Sequence, residues 1–184
     1  MPPPAYGQSP YGAGYGDPEL VDLPGAGPTR LAGAGQRIGA RFLDALILGV
    51  VMVALAAVHL YKLKVTHTTT DVNGHQVSSI DAGLYGKNLL VSLVVYFFYD
   101  ALLIGFLGGT LGMKMLGIRV VRTSGGGAPG FGPAAIRSVL LTVVGTMLCG
   151  VGYLVIGLSF LWDGSKHRQG WHDKAAGVYV VRGH

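Results

Sequence analysis

The chain has 184 residues, of which 50% are hydrophobic and only 12% are charged, and its mean hydropathy is +0.47. This composition lies outside the usual range of a soluble domain and indicates a protein of the lipid bilayer. The net charge of +5 does not indicate nucleic-acid binding, because the basic residues are scattered singly along the chain, without interleaved aromatic residues. We therefore expect the bilayer as a partner and no nucleic acid.

The N-terminal segment, residues 1–34, is predicted to be a disordered tail. Its first 30 residues are rich in Pro, Gly and Tyr and follow neither a helical nor a strand period. They also lack the apolar block that would offset the entropy of ordering. Two roles stay open for this tail: a solvated tether, or a segment whose Tyr-Gly repeats recruit a partner. The rest of the chain, residues 35–182, is predicted to be one transmembrane domain.

Three hydrophobic blocks follow the tail, with spans predicted at about residues 38–61, 89–111 and 136–162. At ~1.5 Å per residue each block reaches most or all of a ~30 Å hydrocarbon core. Because backbone groups in lipid must form hydrogen bonds within their own segment, the blocks are predicted to be helices. We expect an all-α membrane protein, a small transmembrane helical bundle.

The distribution of lysine and arginine separates two topologies for the third block. If this block crosses once, the two sides of the membrane carry seven basic residues each; if it turns back, one side carries eleven and the other three. The positive-inside rule favours the second topology, and the sequence offers a breakpoint at residues 149–152. Two halves of about a dozen residues each reach only ~18 Å. The third block is therefore predicted to be broken, re-entrant or steeply tilted.

Short strands are expected on both sides of the membrane. The segments GIRVVRTSGGG (117–127) and GVYVVRG (177–183) are β-branched runs beside glycine, and we expect them to pair on the cytoplasmic side. The first loop, residues 62–88, then faces outward, with Asn73-Gly74 at the centre of a small hairpin. Both termini are accordingly predicted to lie in the cytoplasm.

Three charges open the first block. Arg37, Arg41 and Asp44 stand at i, i+4 and i+7, which places them on one stripe of a helix. We expect Arg41 to pair with Asp44 and Arg37 to reach toward the interface. A carboxylate a turn or two inside lipid costs on the order of 2.5–3.5 kcal/mol without a partner or water, so Asp44 is expected to face the bundle. Either the pair anchors the helix, or Asp44 has a functional role.

Asp100 is the twelfth residue of a 23-residue apolar block, close to the middle of the membrane. An unpaired ionised carboxyl is hardest to accommodate there, so Asp100 is expected to be protonated or to meet a cation, from Arg41 or from a transported ion. Asp44 and Asp100 are thus the candidate ion-binding or proton-binding residues, with Arg37 and Arg41 as charge partners. The alternative is a neutral carboxyl that hydrogen-bonds a neighbouring helix.

Other patterns point to packing or to solvent. Glycines at positions 105, 108, 109 and 112 have small-xxx-small spacings, which permit close helix approach. His167 and His172, beside Asp163 and Asp173, are expected in a solvated loop at the membrane edge, with a pH-sensitive gate as the alternative. The histidines at 59, 67 and 75 match no usual zinc spacing, and no apolar-block serine has a partner base. We therefore expect no metal, no cofactor and no enzymatic activity.

The stretches RIGARFLDALIL, GGTLGMKMLGIRVV and RQGWHDKAAGVYVV together resemble the RDD family of bacterial membrane proteins, over roughly residues 35–182. The family takes its name from one arginine and two aspartates, and the resemblance implies that their counterparts here are Arg37, Asp44 and Asp173. Where the family has lysine directly after Thr-x-Gly, this chain has Met113, with Lys114 one place later. The other residues that match the family's motifs are Gly109, Thr110, Gly112 and Gly117.

The resemblance implies a multi-pass integral protein of the bacterial plasma membrane, with transport, including cation/proton exchange, as the usual suggestion. Two functions remain in balance. In one, a small transporter binds a proton or cation in turn at Asp44 and Asp100. In the other, a membrane scaffold uses buried charges to fix helix pairing and its tail to recruit partners. A three-span bundle is too thin to enclose a path, so a transporter is expected to form a homo-oligomer or to join another membrane protein.

Overall fold

The computed structural model describes residues 20–60, 62–147, 151–163 and 169–183. Within these ranges two long helices and several short ones accompany three pairs of antiparallel strands. The elements in chain order are β1 (Leu20–Leu23), β2 (Gly27–Arg30), α1 (Ala34–Ala57), β3 (Thr66–Thr70), β4 (Gln76–Ile80), α2 (Ala82–Leu107), α3 (Leu111–Met115), β5 (Ile118–Arg122), α4 (Phe131–Val139), α5 (Gly145–Met147), α6 (Val151–Leu158), α7 (Trp171–Ala176) and β6 (Val178–Arg182).

The helices α1 and α2 are long and apolar enough to cross a membrane. They have 24 and 26 residues, and their most apolar 18-residue windows have mean hydropathies of 2.1 and 2.2. Only 22% of each window is buried, so these are not the enclosed core helices of a soluble protein. On α1 the outward face repeats at helical spacing and includes Leu46, Val50 and Val53, all exposed. Such a face suits contact with lipid.

Local interactions set the ends of these helices. At the start of α1, the Gln36 side chain accepts a hydrogen bond from the Gly33 backbone N–H at 3.1 Å. At the start of α2, the Asp81 carboxylate accepts from the Leu84 N–H at 2.9 Å. Gly108 ends α2 with a φ of +72°, a left-handed conformation that favours glycine. The chain can then turn at once into α3.

The third hydrophobic block is divided into several helical pieces. Helix α4 continues through a π-helical turn (Leu140–Val144) into α5, and α6 packs back against that turn before ending in a 3₁₀ turn (Ser159–Trp162). We call α4 to α5 the first arm of this block and α6 with the 3₁₀ turn the second arm. Both arms contact α7, which agrees with the topology, favoured by the charge count, in which the third block turns back. The predicted breakpoint falls partly on residues 148–150, outside the described residues. Within the described residues, only α1 and α2 are long enough to span a membrane, and the predicted third span over 136–162 does not form one continuous helix.

Two predicted strand pairs are confirmed, and they lie at opposite ends of the long helices. Strands β5 and β6 pair antiparallel with Val120 opposite Val180. Strands β3 and β4 form a hairpin between α1 and α2, and its turn includes Asn73 and Gly74, where Gly74 has a φ of +84°. We call the two ends of the molecule the sheet end (β5 and β6) and the hairpin end (β3 and β4).

Residues 20–30 differ from the prediction, which placed them in a disordered tail. They form the β1–β2 hairpin, and Val21 and Leu23 lie with Leu31 in a buried cluster against Val121 and Val181. Val21 and Leu23 stand two residues apart and so share one face of a strand. Packing against the β5–β6 pair offsets the entropy of ordering this short segment. The remainder of the predicted tail, residues 1–19, lies outside the described residues.

The main hydrophobic core sits at the sheet end, between the β5–β6 pair and the helices. Its members come from α1, α2, α3, α4, α7 and both strands, and include Ala40, Ile104, Met113, Val120, Ala134 and Val178. Two glycines permit close approach there. A Cβ on Gly105 would lie 3.1 Å from the Phe131 Cα, and a Cβ on Gly112 would overlap the Ala40 carbonyl oxygen. Backbones therefore meet directly beside the charged residues described next.

Candidate functional site

Six charged side chains lie together at the sheet end, and we call them the charge cluster. Helix α1 contributes three of them: Arg37 and Asp44 belong to its buried stripe with Ala40 and Leu48, and Arg41 lies at the edge of that stripe. Their formal charges sum to zero, which is the condition under which buried ions are tolerated. The members are Arg37, Arg41 and Asp44 from α1, Asp100 from α2, Arg137 from α4 and Asp173 from α7.

Asp173 joins the first helix to the third block. It accepts a hydrogen bond from Arg137 Nε at 2.7 Å and from Arg37 Nη1 at 3.4 Å. All three side chains are buried. A doubly paired carboxylate of this kind holds both arginines in place only while all three groups remain charged.

Arg37 also fastens α1 to the sheet. Its Nη2 donates to the Val180 carbonyl at 3.2 Å and its Nε to the Ala32 carbonyl at 3.3 Å. Its guanidinium lies 5.1 Å from the centre of the Phe160 ring, a cation–π contact. The expectation that Arg37 reaches toward the interface is wrong, because the two carbonyl groups and the aromatic ring bind its guanidinium inside the protein.

His172 and Asp173 are buried, so the expectation of a solvated loop is wrong for both. Burial lowers the pKa of His172 to about 4, with Asp173 opposing the change and Arg137 adding to it. His172 is therefore neutral near pH 7. Burial raises the pKa of Asp173, but the neighbouring His172, Arg137 and Arg37 lower it by more, and this carboxyl is ionised. The ring nitrogen Nε2 of His172 lies 3.3 Å from Asp173 Oδ1.

Asp100 meets Arg41, one of the two alternatives predicted for it. Arg41 Nη1 lies 3.1 Å from Asp100 Oδ2 and 3.3 Å from Oδ1, and Arg137 Nη1 approaches Oδ2 to 3.7 Å. The predicted pair between Arg41 and Asp44 is wrong, because Arg41 crosses to α2 and Asp44 binds other donors. Asp100 is 5% exposed, whereas the Arg41 side chain is 30% exposed.

Asp44 faces inward, as predicted, and is held by uncharged donors. Its oxygens accept from the Tyr99 hydroxyl at 2.7 Å, the Thr110 hydroxyl at 2.6 Å and the Gly112 N–H at 2.8 Å. Thr110 also caps α3, since its hydroxyl accepts from the Met113 N–H at 3.3 Å. The Gly-Thr-Leu-Gly motif thus serves as a receptor for the carboxylate of the first helix.

The other motif residues lie outside the charge cluster. Lys114 is exposed in the last turn of α3, and Gly117 is exposed with a φ of +63°. Gly109 stands between the end of α2 and Thr110, where a Cβ would touch the Ile118 carbonyl oxygen at 3.5 Å. These residues shape the turn that carries Thr110 and Gly112.

Sequence reasoning missed two contributors, Arg137 and Tyr99, and placed a third, His172, in a solvated loop. Arg137 entered the prediction only through the count of basic residues. It stands at the start of the third apolar block, just as Arg37 and Arg41 stand at the start of the first. Tyr99 adjoins Asp100 in the sequence, yet it serves the carboxylate of another helix. This position, a basic residue at the start of an apolar block, was the sequence pattern that could have identified Arg137.

A cavity of about 630 Å³ lies beside the charge cluster, between α1, α2 and the two arms of the third block. Its floor is charged and includes Arg41, Asp100 and Arg137, while its walls are mainly apolar. Two guanidinium nitrogens, Arg41 Nη2 and Arg137 Nη1, are buried without a hydrogen-bond partner within the described part of the chain. In that part no group of three or more His, Cys, Asp or Glu side chains is placed to hold a metal ion.

Comparison with known families assigns the chain. The model of the RDD family matches residues 31–177, about four-fifths of its length. The chain belongs to the RDD family. With its two apolar helices of spanning length, this RDD protein is a membrane protein. Arg37 and Asp173 form an ion pair at 3.4 Å, and Asp44 lies on the same helix as Arg37. No curated protein and no solved structure matches the chain.

Proposed function

We propose that this RDD protein is a multi-pass protein of the bacterial plasma membrane with its sheet end in the cytoplasm. The segment before α1, the loop after α2 and the C-terminal strand all pack together at the sheet end. Among the described residues, nine lysines and arginines lie at the sheet end, in these segments or in the adjoining ends of the helices, and three (Lys62, Lys64 and Lys87) lie at the hairpin end. The positive-inside rule supports a cytoplasmic sheet end and cytoplasmic termini.

Its proposed activity is proton-coupled transport, with Asp100 as the residue that takes up the proton. The observation that carries this proposal is that Asp100 is a buried carboxylate within an apolar helix and lines the cavity floor beside a partly exposed partner, Arg41. Intramembrane carboxylates of this kind are typical of proton relays. Asp44, with three neutral donors, is assigned the role of holding α1 to the loop before α3.

The charges around Asp100 favour a proton over a metal cation. Arg41 of α1 and Arg137 of α4 face it directly, and Asp173 and His172 of α7 lie behind Arg137. A metal cation at Asp100 would meet two guanidinium groups, whereas a proton neutralises the carboxylate and weakens its attraction to Arg41. The floor then gains one unit of positive charge, which favours binding of an anion in the cavity. Proton uptake and anion binding would thus be coupled.

A scaffold is the second candidate, and it too has support in the structure. The group formed by Arg37, Asp173 and Arg137 is buried and fully occupied with joining α1, α4, α7 and the sheet. Such a network fixes the arrangement of helices without any exchange of partners. In this role the tail, residues 1–19 of which lie outside the described residues, would recruit cytoplasmic proteins.

Proton flux separates the two candidates. The protein is reconstituted into vesicles with a pH-sensitive dye, and wild type is compared with Asp100→Asn and with Asp22→Asn, an exposed control on β1. We expect proton flux in wild type and in Asp22→Asn, and its loss in Asp100→Asn. Absence of flux in folded wild-type protein under imposed proton gradients and with anionic solutes present would contradict transport and favour the scaffold.

The oligomeric state is part of the proposal. The cavity is bounded by helices of one chain, and an oligomer would supply the wall needed to close a path across the bilayer. Light scattering of the purified protein in detergent measures the state. A homo-oligomer supports the transporter, whereas a strict monomer that still carries flux would contradict this requirement.

A further inference from the structure

The cavity is elongated along the helix axes. On α2 it extends from Asp100 to Leu89, eleven residues apart, which is roughly 16 Å at ~1.5 Å per residue. This length is about half of a ~30 Å hydrocarbon core and is long enough for part of one acyl chain. The volume of about 630 Å³ also lies within the range of sites for small organic ligands. The apolar residues along its walls include Ile38, Phe42, Leu48, Leu89, Leu93 and Leu158.

The charged residues lie at one end of the cavity only. Three arginines, Arg37, Arg41 and Arg137, form ion pairs there with Asp100 and Asp173, and the third carboxylate of the charge cluster, Asp44, lines the same end. Asp44 is not an ion-pair partner of this set in the described residues, since uncharged donors surround it. Protonation of Asp100, as proposed above, would leave this end of the cavity with one positive charge in excess.

Unused donors point to where the balancing anion binds. Arg137 is 2% exposed and lines the cavity, and its Nη1 forms no hydrogen bond with any described residue, since Asp100 Oδ2 is 3.7 Å away. Arg41 Nη2 is a second buried donor that has no hydrogen-bond partner among the described residues. A buried guanidinium nitrogen left unpaired is costly. Guanidinium groups bind phosphate strongly through charge-assisted hydrogen bonds.

We propose that the cavity binds an anionic phospholipid, with its phosphate on Arg41 and Arg137 and one acyl chain along the apolar walls of α1 and α2. This inference deepens the proposed function and rests on it in one respect: the lipid is the anion whose binding is coupled to the proton. The guanidinium donors at the floor and the apolar walls beside them match the two parts of such a lipid, its phosphate and its acyl chain. A free phosphate ion would leave the walls unused.

Lipid binding is measured without any transport assay. The full chain is purified in detergent, and the affinity of phosphatidylglycerol is determined by native mass spectrometry and by displacement of a fluorescent analogue. Phosphatidylcholine and inorganic phosphate are the comparison ligands. We expect phosphatidylglycerol to bind at least tenfold more tightly than phosphatidylcholine, and we expect inorganic phosphate at millimolar concentration not to displace it.

Two variants test the two halves of the site. Arg41→Gln removes the partly exposed floor donor, and Ser92→Phe fills the cavity without changing a charge. Each is expected to weaken phosphatidylglycerol binding at least tenfold. The control Arg119→Gln removes an exposed arginine at the same end of the molecule and is expected to change the affinity less than twofold.

Several results would overturn the inference. Equal affinity for the two phospholipids, or unchanged binding in Ser92→Phe in a folded protein, would show that the cavity does not hold the lipid. Displacement by inorganic phosphate would assign the floor to a free anion instead. Selective binding without proton flux would keep this inference as a lipid site and remove the transport function, whereas flux without binding would do the reverse.

Discussion

The two ends of the molecule use charged residues in opposite ways. At the sheet end the charge cluster is enclosed by α1, α2, α4 and α7. At the hairpin end every residue of β3 and β4 is exposed, and the contacts His67–Asp81 and His75–Asp71 are largely open to solvent. Exposed pairs contribute little to stability, whereas removal of one member of a buried pair leaves an uncompensated charge. The sheet end should therefore hold the fold, and the hairpin end should tolerate change.

Removal of Arg137 should have the largest effect. Arg137→Met leaves Asp173 with one arginine fewer and takes from Asp100 its second neighbour. We expect a loss of about 3–5 kcal/mol in the free energy of unfolding in detergent micelles. The control Arg119→Met changes an exposed arginine on β5 and should leave this free energy nearly unchanged. Equal effects of the two variants would break the contrast between buried and exposed charge.

The second largest loss of stability is expected where the backbone of Gly112 approaches that of Ala40, beside Asp44. Gly112→Ala adds a Cβ that overlaps the Ala40 carbonyl and lies 2.8 Å from Asp44 Oδ1. We expect it to destabilise the protein by about 2 kcal/mol, a typical cost of overpacking. Gly86→Ala, in α2 near the hairpin end, meets open space and should instead stabilise by about 0.5 kcal/mol. Thermal unfolding of both variants measures the difference, and a harmless Gly112→Ala would refute the close approach.

Acid should destabilise the sheet end through His172. The folded pKa of about 4 lies below the ordinary value of 6.5, so between these values the unfolded chain binds the proton and the folded protein does not. Stability conferred by His172 is complete above pH 6.5 and falls as the pH is lowered toward 4. Between pH 6.5 and 5 we expect a loss on the order of 2 kcal/mol.

A variant that lacks only His172 isolates this pH effect. Between pH 6.5 and 5, the free energy of unfolding of His172→Gln should fall by about 2 kcal/mol less than that of wild type. Below the ordinary pKa of an aspartate, the lowered pKa of Asp173 adds a further loss in both proteins as the pH falls. Parallel curves for wild type and His172→Gln would show that His172 is not held neutral.

The smallest effect is expected at the hairpin end. His67→Gln breaks the contact between His67 Nε2 and Asp81 Oδ2, which is 2.9 Å long and largely exposed. We expect no measurable change in the melting temperature at pH 7. A clear fall in melting temperature would mean that the hairpin carries stability that its exposure does not suggest, and the comparison of the two ends would have to be redrawn.

Much of the fold follows from patterns local to the sequence. The apolar blocks predicted α1 and α2, and β-branched runs beside glycine predicted the pairing of β5 with β6. The inward orientation of the Asp44 side chain also followed, because a carboxylate exposed to lipid is energetically costly and the protein interior avoids that cost. These inferences needed only periodicity, length and the chemistry of the bilayer.

The exact partners did not follow, because they depend on residues far apart in the chain. Arg41 and Asp44 are close in sequence and invite a local pair, yet each meets a partner from another helix. Arg137 and Asp173 meet only after the third block folds back on itself. The β1–β2 hairpin was missed for the same reason, since its order depends on a sheet built from residues about 100 and 150 positions later.

The central claim is that charges within the helices persist because they bind one another across helices. A double-mutant cycle on Arg41 and Asp100 tests it most directly, using unfolding free energies of wild type, Arg41→Met, Asp100→Asn and the double variant. We predict that the double variant is more stable than the sum of the single changes implies, with a coupling of about 1–3 kcal/mol. Strictly additive effects would contradict the pairing of α1 with α2 through these two residues.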